Sequence, residues 1–274
     1  MSESLSVNGV QLDSRCYSLS DISGIMGSPA RRGENIVIPG RDGELVRPNK
    51  RYDASDLVLK LSVSGSLADG SIPSGSDPER EFFKRRDELT SLFNASTVVL
   101  VHTLPDGSQR QAVCEVRDVI PWERVKAAPS ADASVALRVV GAFWSDVTPV
   151  SQTFTVASGT SVNLTNFAGA TAPMSDLVLT FGAGNNPTLS QGNRFFKYGA
   201  VISSGRQLQV NCADWSLGIG TGTAWSPNRA VIEYNPGPNY FTLDPSVSLS
   251  VSLVHTGGGS MSCTISGYRK YLTS

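Results

Sequence analysis

A ribbon of basic and turn-forming residues that begins at Arg31 constrains the fold of this chain more than any other segment. Three apolar residues, Ile36 to Ile38, lead towards Asp42-Gly43, a dipeptide suited to the positive φ angles of tight hairpin turns. Residues Glu44 to Arg47 then return, which predicts a two-stranded β-hairpin arm. An isolated hairpin is marginally stable in water, so we expect the arm, residues 31–47, to lie on a neighbouring molecule.

The candidate interface residues of the arm have basic or apolar side chains. They are Arg31, Arg32, Ile36, Ile38, Arg41 and Arg47. Because no chemical motif accompanies them, their assignment is a hypothesis about partners and not about catalysis.

The rest of the first half predicts a sheet with a helix packed on it. Apolar residues occupy every second position from Leu57 to Val63, which is typical of a half-buried strand. Asp77-Pro78 supplies a helix N-cap and a proline at the first helical position, and the helix is expected to end near Asn94. Its charged positions Lys84 to Asp87 are expected to face away from the sheet. The stripe expected to pack on the sheet contains Phe82, Leu89 and Phe93.

Short, evenly spaced strands predict a β-sandwich or jelly roll in the second half. The predicted strands are residues 153–156, 162–165, 177–181, 194–198, 207–212, 230–234, 247–254 and 261–266. The last two alternate most cleanly and are expected to form a closing pair. We place the linker near Ser145 to Ser151, which divides the chain into domains 1–146 and 147–274.

Composition excludes several classes of partner and site. The 274 residues carry a formal net charge of −1, and only 17% are charged, so neither nucleic acid nor a membrane surface is an expected partner. The polar start and the lack of a long apolar run predict synthesis and retention in the cytosol, without membrane insertion. The four cysteines, Cys16, Cys114, Cys212 and Cys263, lack metal-ligand spacing and are expected to be reduced thiols.

No catalytic or cofactor motif is present in the sequence. His102 and His255 lie on predicted strands, and no Gly-x-Ser-x-Gly elbow accompanies them. The Gly218 to Gly222 segment lacks the third glycine of a dinucleotide loop and predicts an inter-strand loop. Asp53 and Asp56 lack calcium-loop spacing. We therefore expect no catalytic residue, no cofactor and no metal, and an enzyme is the weakest hypothesis.

Three segments resemble those of a known family: the arm, the alternating strand after it, and the mid-chain segment from Gly141 to Asp146. Together with the single predicted helix and the β-rich second half, they resemble the distal tail proteins of siphophages, in particular those called minor tail proteins in actinobacteriophages. The resemblance spans the whole chain in organisation. It implies a mainly β fold, with an N-terminal barrel-like or sandwich-like ring domain and a C-terminal galectin-like β-sandwich.

The same resemblance implies a structural role in the virion. Members of this family would form a homohexameric ring that joins the tail tube to the tip or baseplate and to host-recognition proteins, after assembly in the host cytoplasm. Physical chemistry makes such a ring reasonable, since head-to-tail contacts can close on themselves and neighbours can satisfy open sheet edges.

Aromatic residues in the second half support an alternative function. Most of them are expected to fill the core, but Trp215 and Trp225 each lie among turn residues and are candidates for stacking on a sugar ring. The alternative is therefore a carbohydrate-binding module that recognises the host cell envelope, although a shared fold alone does not confer lectin activity.

Overall fold

The computed structural model describes residues 3–13, 17–37, 39, 42, 44–45, 51–66, 71, 75–125, 128–228, 231–235 and 240–274. The chain divides into two compact units: unit 1 is residues 1–147 with 272–274, and unit 2 is residues 148–271. The final residues belong to unit 1 because the backbone N–H of Ser274 donates to the Ile25 carbonyl oxygen, 3.3 Å away, and Arg110 donates to the carbonyl oxygen of Thr273 at 2.9 Å.

Unit 1 is an antiparallel sheet with one helix among its described residues. Its elements are β1 (Ser4–Val7), β2 (Val10–Gln11), β3 (Tyr17–Ser23), β4 (Arg31–Arg32), β5 (Ile36–Val37), β6 (Glu44–Leu45), β7 (Arg51–Tyr52), β8 (Ser55–Ser64), α1 (Pro78–Leu92), β9 (Thr97–Thr103), β10 (Gln109–Val116), β11 (Glu123–Arg124), β12 (Ser130–Val139) and β13 (Trp144–Asp146). The sheet has the order β2-β1-β9-β10-β12-β8-β3, while β11 pairs with β12 and β13 pairs with β10.

The alternating strand predicted from sequence is β8, which lies between β12 and the edge strand β3. β8 pairs with β12 over ten residues, and its apolar residues from Leu57 to Val63 are buried while the intervening ones are partly or fully exposed. Val63 packs with Phe82 of α1 and with Ala131 of β12. The predicted packing of the helix on a sheet is therefore confirmed.

Helix α1 begins as its capping residues predict. The Asp77 carboxylate accepts a hydrogen bond from the backbone N–H of Glu79 at 3.1 Å, and Pro78 follows the cap. The helix ends at Leu92, two residues before the predicted end. The predicted orientation of Arg85 was wrong: this residue is only 5% exposed, because its guanidinium donates to backbone carbonyl oxygens beside the end of β8.

Unit 2 is a β-sandwich. Its elements are β14 (Val150–Ala157), β15 (Thr160–Asn163), a 3-10 helix (Thr165–Phe167), β16 (Val178–Phe181), β17 (Gly184–Gln191), β18 (Arg194–Tyr198), β19 (Val201–Ile202), β20 (Gln207–Asn211), β21 (Ser216–Gly220), β22 (Trp225–Pro227), β23 (Ile232–Tyr234), β24 (Ser250–Thr256), β25 (Ser260–Gly267) and β26 (Lys270–Tyr271). One sheet has the order β14-β25-β16-β20-β21-β22, and the other has the order β15-β24-β17-β18-β23 with β19 on β17.

Both sheets of unit 2 contribute to one apolar core. Phe181 of the first sheet stacks on Phe196 of the second, with ring centroids 6.0 Å apart, and both side chains are fully buried. The same core includes Ile265 and Leu253, whose strands lie in different sheets. The mainly β fold is thereby confirmed, whereas a specific likeness to galectins stays a prediction.

The predicted closing pair was wrong. β24 and β25 do not pair with each other; β24 lies between β15 and β17, and β25 lies between β14 and β16. The alternation is real, because Val251, Leu253, Met261, Cys263 and Ile265 are all buried. Alternation shows that one face of each strand meets the core, but it does not show to which sheet each strand belongs.

Two further segments that lie outside the predicted strands form strands. β17 runs through the Gly184 to Pro187 segment with a bulge between Asn185 and Thr188, and β21 contains Gly218 and Gly220 of the supposed inter-strand loop. Glycine and asparagine have low strand propensity, so composition alone favoured a loop. Pairing on both sides of each strand overrides that preference.

A charged cluster fixes the segment that precedes β24. The Asp244 carboxylate accepts hydrogen bonds from the backbone N–H and hydroxyl of Ser246 and from Arg194, at 3.0, 2.6 and 2.8 Å. Gln191 completes the cluster, since its side-chain amide donates to the carbonyl oxygens of Asp244 and Ser248. Burial raises the pKa of the Asp244 carboxyl, but these hydrogen bonds and the nearby guanidinium outweigh it and lower the pKa from its usual 3.8.

Candidate functional site

The arm is a hairpin, as predicted, although the described residues do not show a turn at Asp42-Gly43. β5 pairs antiparallel with β6, so that Ile36 lies opposite Leu45, and β4 pairs with β7, so that Arg31 lies opposite Tyr52. Three of the candidate interface residues, Ile38, Arg41 and Arg47, lie outside the residues that the structure describes. The contact of the arm with a second copy stays a prediction.

The base of the arm is held to unit 1 by ring contacts. Arg31 places its guanidinium 5.4 Å from the centroid of the Tyr52 ring and donates to the Tyr52 hydroxyl at 3.4 Å. The Tyr52 ring meets the ring of Phe143 edge to face, with centroids 5.0 Å apart. The backbone N–H of Asp53 also donates to the carbonyl oxygen of Ala30 at 2.7 Å. These contacts fix where the arm leaves the sheet.

The two basic residues at the base remain open to solvent. Arg31 and Arg32 are both exposed, and together they form β4, a strand of only two residues. Such short strands bury little surface by themselves. A free sheet edge lies in the same unit, since β3 pairs only with β8 among the described strands.

The second candidate site is an aromatic groove in unit 2. Trp215 is 40% exposed and meets the rings of Tyr240 and Tyr234 edge to face, with centroids 4.9 and 5.7 Å apart. The Tyr240 hydroxyl donates to the backbone carbonyl oxygen of Trp215 at 3.0 Å. Burial raises the pKa of Tyr240, with a smaller contribution from Tyr234, so the phenol remains a donor.

The structure brings Trp215 and Trp225 onto the same groove, which has a volume of about 520 Å³. The groove lies where β22, at the edge of one sheet, approaches β23, at the edge of the other. Its described lining residues are Gln209, Trp215, Ser216, Leu217, Gly218, Trp225, Pro227, Asn228, Ile232 and Tyr240. Sequence reasoning identified the two tryptophans but missed the polar residues, because the position of Gln209 opposite Gly218 is known only from the pairing of β20 with β21.

The two histidines are buried. The His102 ring is 1% exposed; its Nε2 lies 2.7 Å from the Glu3 carboxylate and its Nδ1 contacts the Ser274 hydroxyl. The ring also meets Trp144 edge to face. Nothing in the sequence signals this contact, because its three polar members lie far apart along the chain. His255 is 6% exposed, and its Nε2 has no hydrogen-bond partner among the described residues.

Asp53 and the described cysteines, also considered as candidate site residues, lie in an ion pair or are buried. Among the described residues, no group of three or more His, Cys, Asp or Glu side chains is placed to hold a metal ion. Asp53 lies 3.7 Å from Arg138 in an ion pair. Burial raises the pKa of the Cys114 and Cys212 thiols to about 12, and Cys263 is also buried; Cys16 lies outside the described residues. No described helix has the length and apolar character needed to cross a membrane.

Comparison with known proteins reveals a likeness in structure but not in sequence. No protein-family model matches the sequence, and no curated protein sequence matches it. Among solved structures, the Dit protein (gp 19.1) of phage SPP1 is similar with a TM-score of 0.65 and 11% identity. The match covers 98% of this chain and 99% of that one. The SPP1 protein is described as a paradigm of the hub adsorption apparatus in phages that infect Gram-positive bacteria.

Two structures of the phage p2 baseplate in its activated conformation also match, one with Ca and one with Sr. Their TM-scores are 0.47 and 0.45, at 8% and 7% identity, over 97% of this chain and 98% of the matched chains. The SPP1 likeness covers nearly the whole of this chain and therefore extends over both units. The chain therefore has the fold of a siphophage distal tail protein.

Proposed function

We propose that this chain is a structural component of a phage tail hub, a distal tail protein that joins the tail tube to the tip or baseplate. The observation that carries the proposal is the end-to-end likeness to SPP1 Dit, in which almost all residues of both chains are matched. A likeness that extends over two units is more specific than a shared sandwich. The proposal places the protein in the virion, after assembly in the host cytoplasm.

A ring of copies is part of this proposal, and we take six as its copy number. Unit 1 supports it with complementary features: an arm that buries little surface alone, and a β3 edge that pairs only with β8 among the described strands. A strand or arm from one copy that lies along the edge of the next makes a head-to-tail contact. Such contacts close into a ring when the rotation between copies permits.

The proposal assigns no catalytic step to the chain. His102 is fully enclosed, and its ring nitrogens are occupied by Glu3 and Ser274. A general base must reach the proton of a bound substrate. Burial of this imidazole between chain segments supports a role in holding the fold of unit 1.

Light scattering and negative-stain electron microscopy of the full chain test the proposal. We expect rings of six copies at high protein concentration, and a particle of one copy under all conditions would contradict autonomous ring formation. Deleting residues 35–46, from Asn35 to Val46, should give single copies in which unit 2 still unfolds cooperatively.

A matched pair of variants separates the arm from general charge effects. The first variant replaces Arg31 and Arg32 together by serine, which removes two exposed charges at the base of the arm. The control variant replaces Arg80 and Arg206 by serine, which removes two exposed charges outside the arm. We expect weaker rings only for the first pair. Rings that persist unchanged after deletion of residues 35–46 would refute the role of the arm.

A further inference from the structure

We propose that the aromatic groove of unit 2 is a binding site for an uncharged oligosaccharide. Four observations carry this assignment: a fixed and exposed tryptophan, a second tryptophan placed by glycines on the same groove, neutral polar groups beside them, and a suitable size. None of them depends on the ring proposed for unit 1, so the two proposals succeed or fail separately.

The first observation is the conformation of Trp215. Its φ angle is 61°, in the left-handed region that a residue with a Cβ adopts only at a cost in free energy. The surrounding tyrosines and the hydrogen bond from Tyr240 hold the backbone and ring in place. Strained, exposed residues that the surroundings fix in this way are characteristic of binding sites. A preformed ring also loses little conformational entropy when it binds a ligand.

The second observation is the placement of Trp225 by two glycines. In the ladder between β21 and β22, Gly220 lies opposite Trp225 and Gly218 lies opposite Pro227. A Cβ on Gly218 would lie 3.2 Å from the Trp225 Cβ, and one on Gly220 would lie 1.8 Å from the carbonyl oxygen of Ala224. Side chains at these positions would therefore push β22 away. The glycines keep the second indole against the groove.

The third observation is the chemistry of the lining. Gln209, Ser216 and Asn228 supply amide and hydroxyl groups beside the rings, and none of the described lining residues is charged. Aromatic faces match the C–H faces of a pyranose ring, while amides and hydroxyls match its O–H groups. An acidic sugar or a phosphate would lack a cationic partner among these residues. The lining therefore favours a neutral saccharide.

The fourth observation is the size of the groove. Its volume of about 520 Å³ lies within the range of roughly 300–1,000 Å³ that is usual for ligand sites. The groove is partly open to solvent and is not an enclosed cavity. A short stretch of a longer glycan chain fits this form better than a small enclosed metabolite.

Calorimetric titration of the full chain with a panel of oligosaccharides tests the assignment. The neutral probes are hexasaccharides of glucose, galactose, mannose and N-acetylglucosamine, and the acidic probe is a hexamer of galacturonic acid. We expect at least one neutral probe to bind and the acidic probe not to bind. Failure of every neutral probe at millimolar concentration, or binding of the acidic probe alone, would overturn the proposal.

Variants locate the binding. We expect Trp215→Ala and Trp225→Ala each to weaken binding of the neutral probe roughly tenfold or more, and Trp215→Tyr to weaken it less. Val201→Ala, a change at an exposed apolar residue of the same unit outside the groove, serves as the matched control and should leave affinity unchanged.

A second variant covers the case in which a tryptophan substitution disturbs folding. Gln209→Leu removes a polar group from the groove without touching either indole, and near-ultraviolet circular dichroism reports whether the aromatic packing survives. We expect weaker binding with an unchanged spectrum. Affinity that stays the same in Gln209→Leu and in both alanine variants would show that the probe binds elsewhere and would refute the site.

Discussion

Replacing Arg85 by methionine tests whether a buried charge fixes helix α1 to the sheet of unit 1. Only 6% of this side chain is exposed, and its Nη1 donates to the carbonyl oxygens of Ser64 and Ser66, at 2.7 and 3.0 Å. Hydrogen bonds from a charged donor contribute about 1.5–3 kcal/mol each, and the cost of burying the guanidinium offsets part of that sum. Methionine keeps the helix propensity and much of the apolar stem. We expect the free energy of unfolding of unit 1 to fall by about 2–3 kcal/mol.

The assay compares this variant with Arg86→Met, which removes the same charge from the next residue of the same helix. The side chain of Arg86 is 32% exposed, pairs with Asp87 at 2.7 Å and lies 4.9 Å from the centroid of the Phe83 ring, so its loss should change stability by less than about 1 kcal/mol. At roughly 2–4 °C per kcal/mol for a unit of this size, Arg85→Met should melt about 4–12 °C lower. Amide exchange in β8 and α1 identifies the unit that opens. Equal melting temperatures for the two variants would refute the reasoning.

Two further predictions concern titratable groups in the described residues. Because the pKa of Asp244 is lowered from 3.8 in the folded chain, its ionised form stabilises unit 2 above that pH, and the stabilisation is lost as the pH falls through the folded value. Asp244→Asn should therefore flatten the acid dependence of the unit 2 melting temperature, and an unchanged slope would contradict the assignment. Burial of Cys114 and Cys212 should protect both thiols from a disulfide reagent at about pH 8 until urea unfolds the chain. Measured in a Cys16→Ser background, rapid labelling of either native thiol would show that its surroundings open.

Patterns of neighbouring residues predicted a hairpin, the start of the helix and the buried face of a strand. The apolar run that starts at Ile36 and the returning segment that starts at Glu44 predicted the pairing of β5 with β6, but a two-residue Asp42-Gly43 turn would not give its register, in which Val37 lies opposite Glu44. The Asp77 cap predicted the start of α1. Alternation from Leu57 to Val63 predicted a buried face, since a strand exposes opposite sides at successive positions.

Long-range pairing could not be predicted in the same way. The separation of β24 and β25 into different sheets depends on partners distant in sequence, such as β17 and β16. Arg85 resembles any charged residue of an exposed helical face until its backbone acceptors are known. Gly218 and Gly220 look like a loop in composition, although neighbours on both sides make them a strand.

For the candidate sites too, some single residues were predicted from the sequence, but their neighbours in space were not. The sequence identified Trp215 and Trp225 from their turn-rich surroundings, and the structure places both on one groove. It did not identify Gln209 or Asn228 as their neighbours, because these residues come from separate strands or turns. Arm residues Arg31 and Arg32 were identified by charge and are exposed, whereas their contact with a second copy stays a prediction.

β24 and β25 follow each other in the sequence but lie in different sheets. This arrangement determines when unit 2 can become complete during synthesis. Each sheet receives an interior strand from residues 250–267, so neither can finish its hydrogen bonding while that stretch is still inside the ribosome. Until then, β14 and β16 lack the strand that lies between them, and so do β15 and β17. The nascent sandwich must wait with open edges, and protection of those edges by chaperones matters most in that interval.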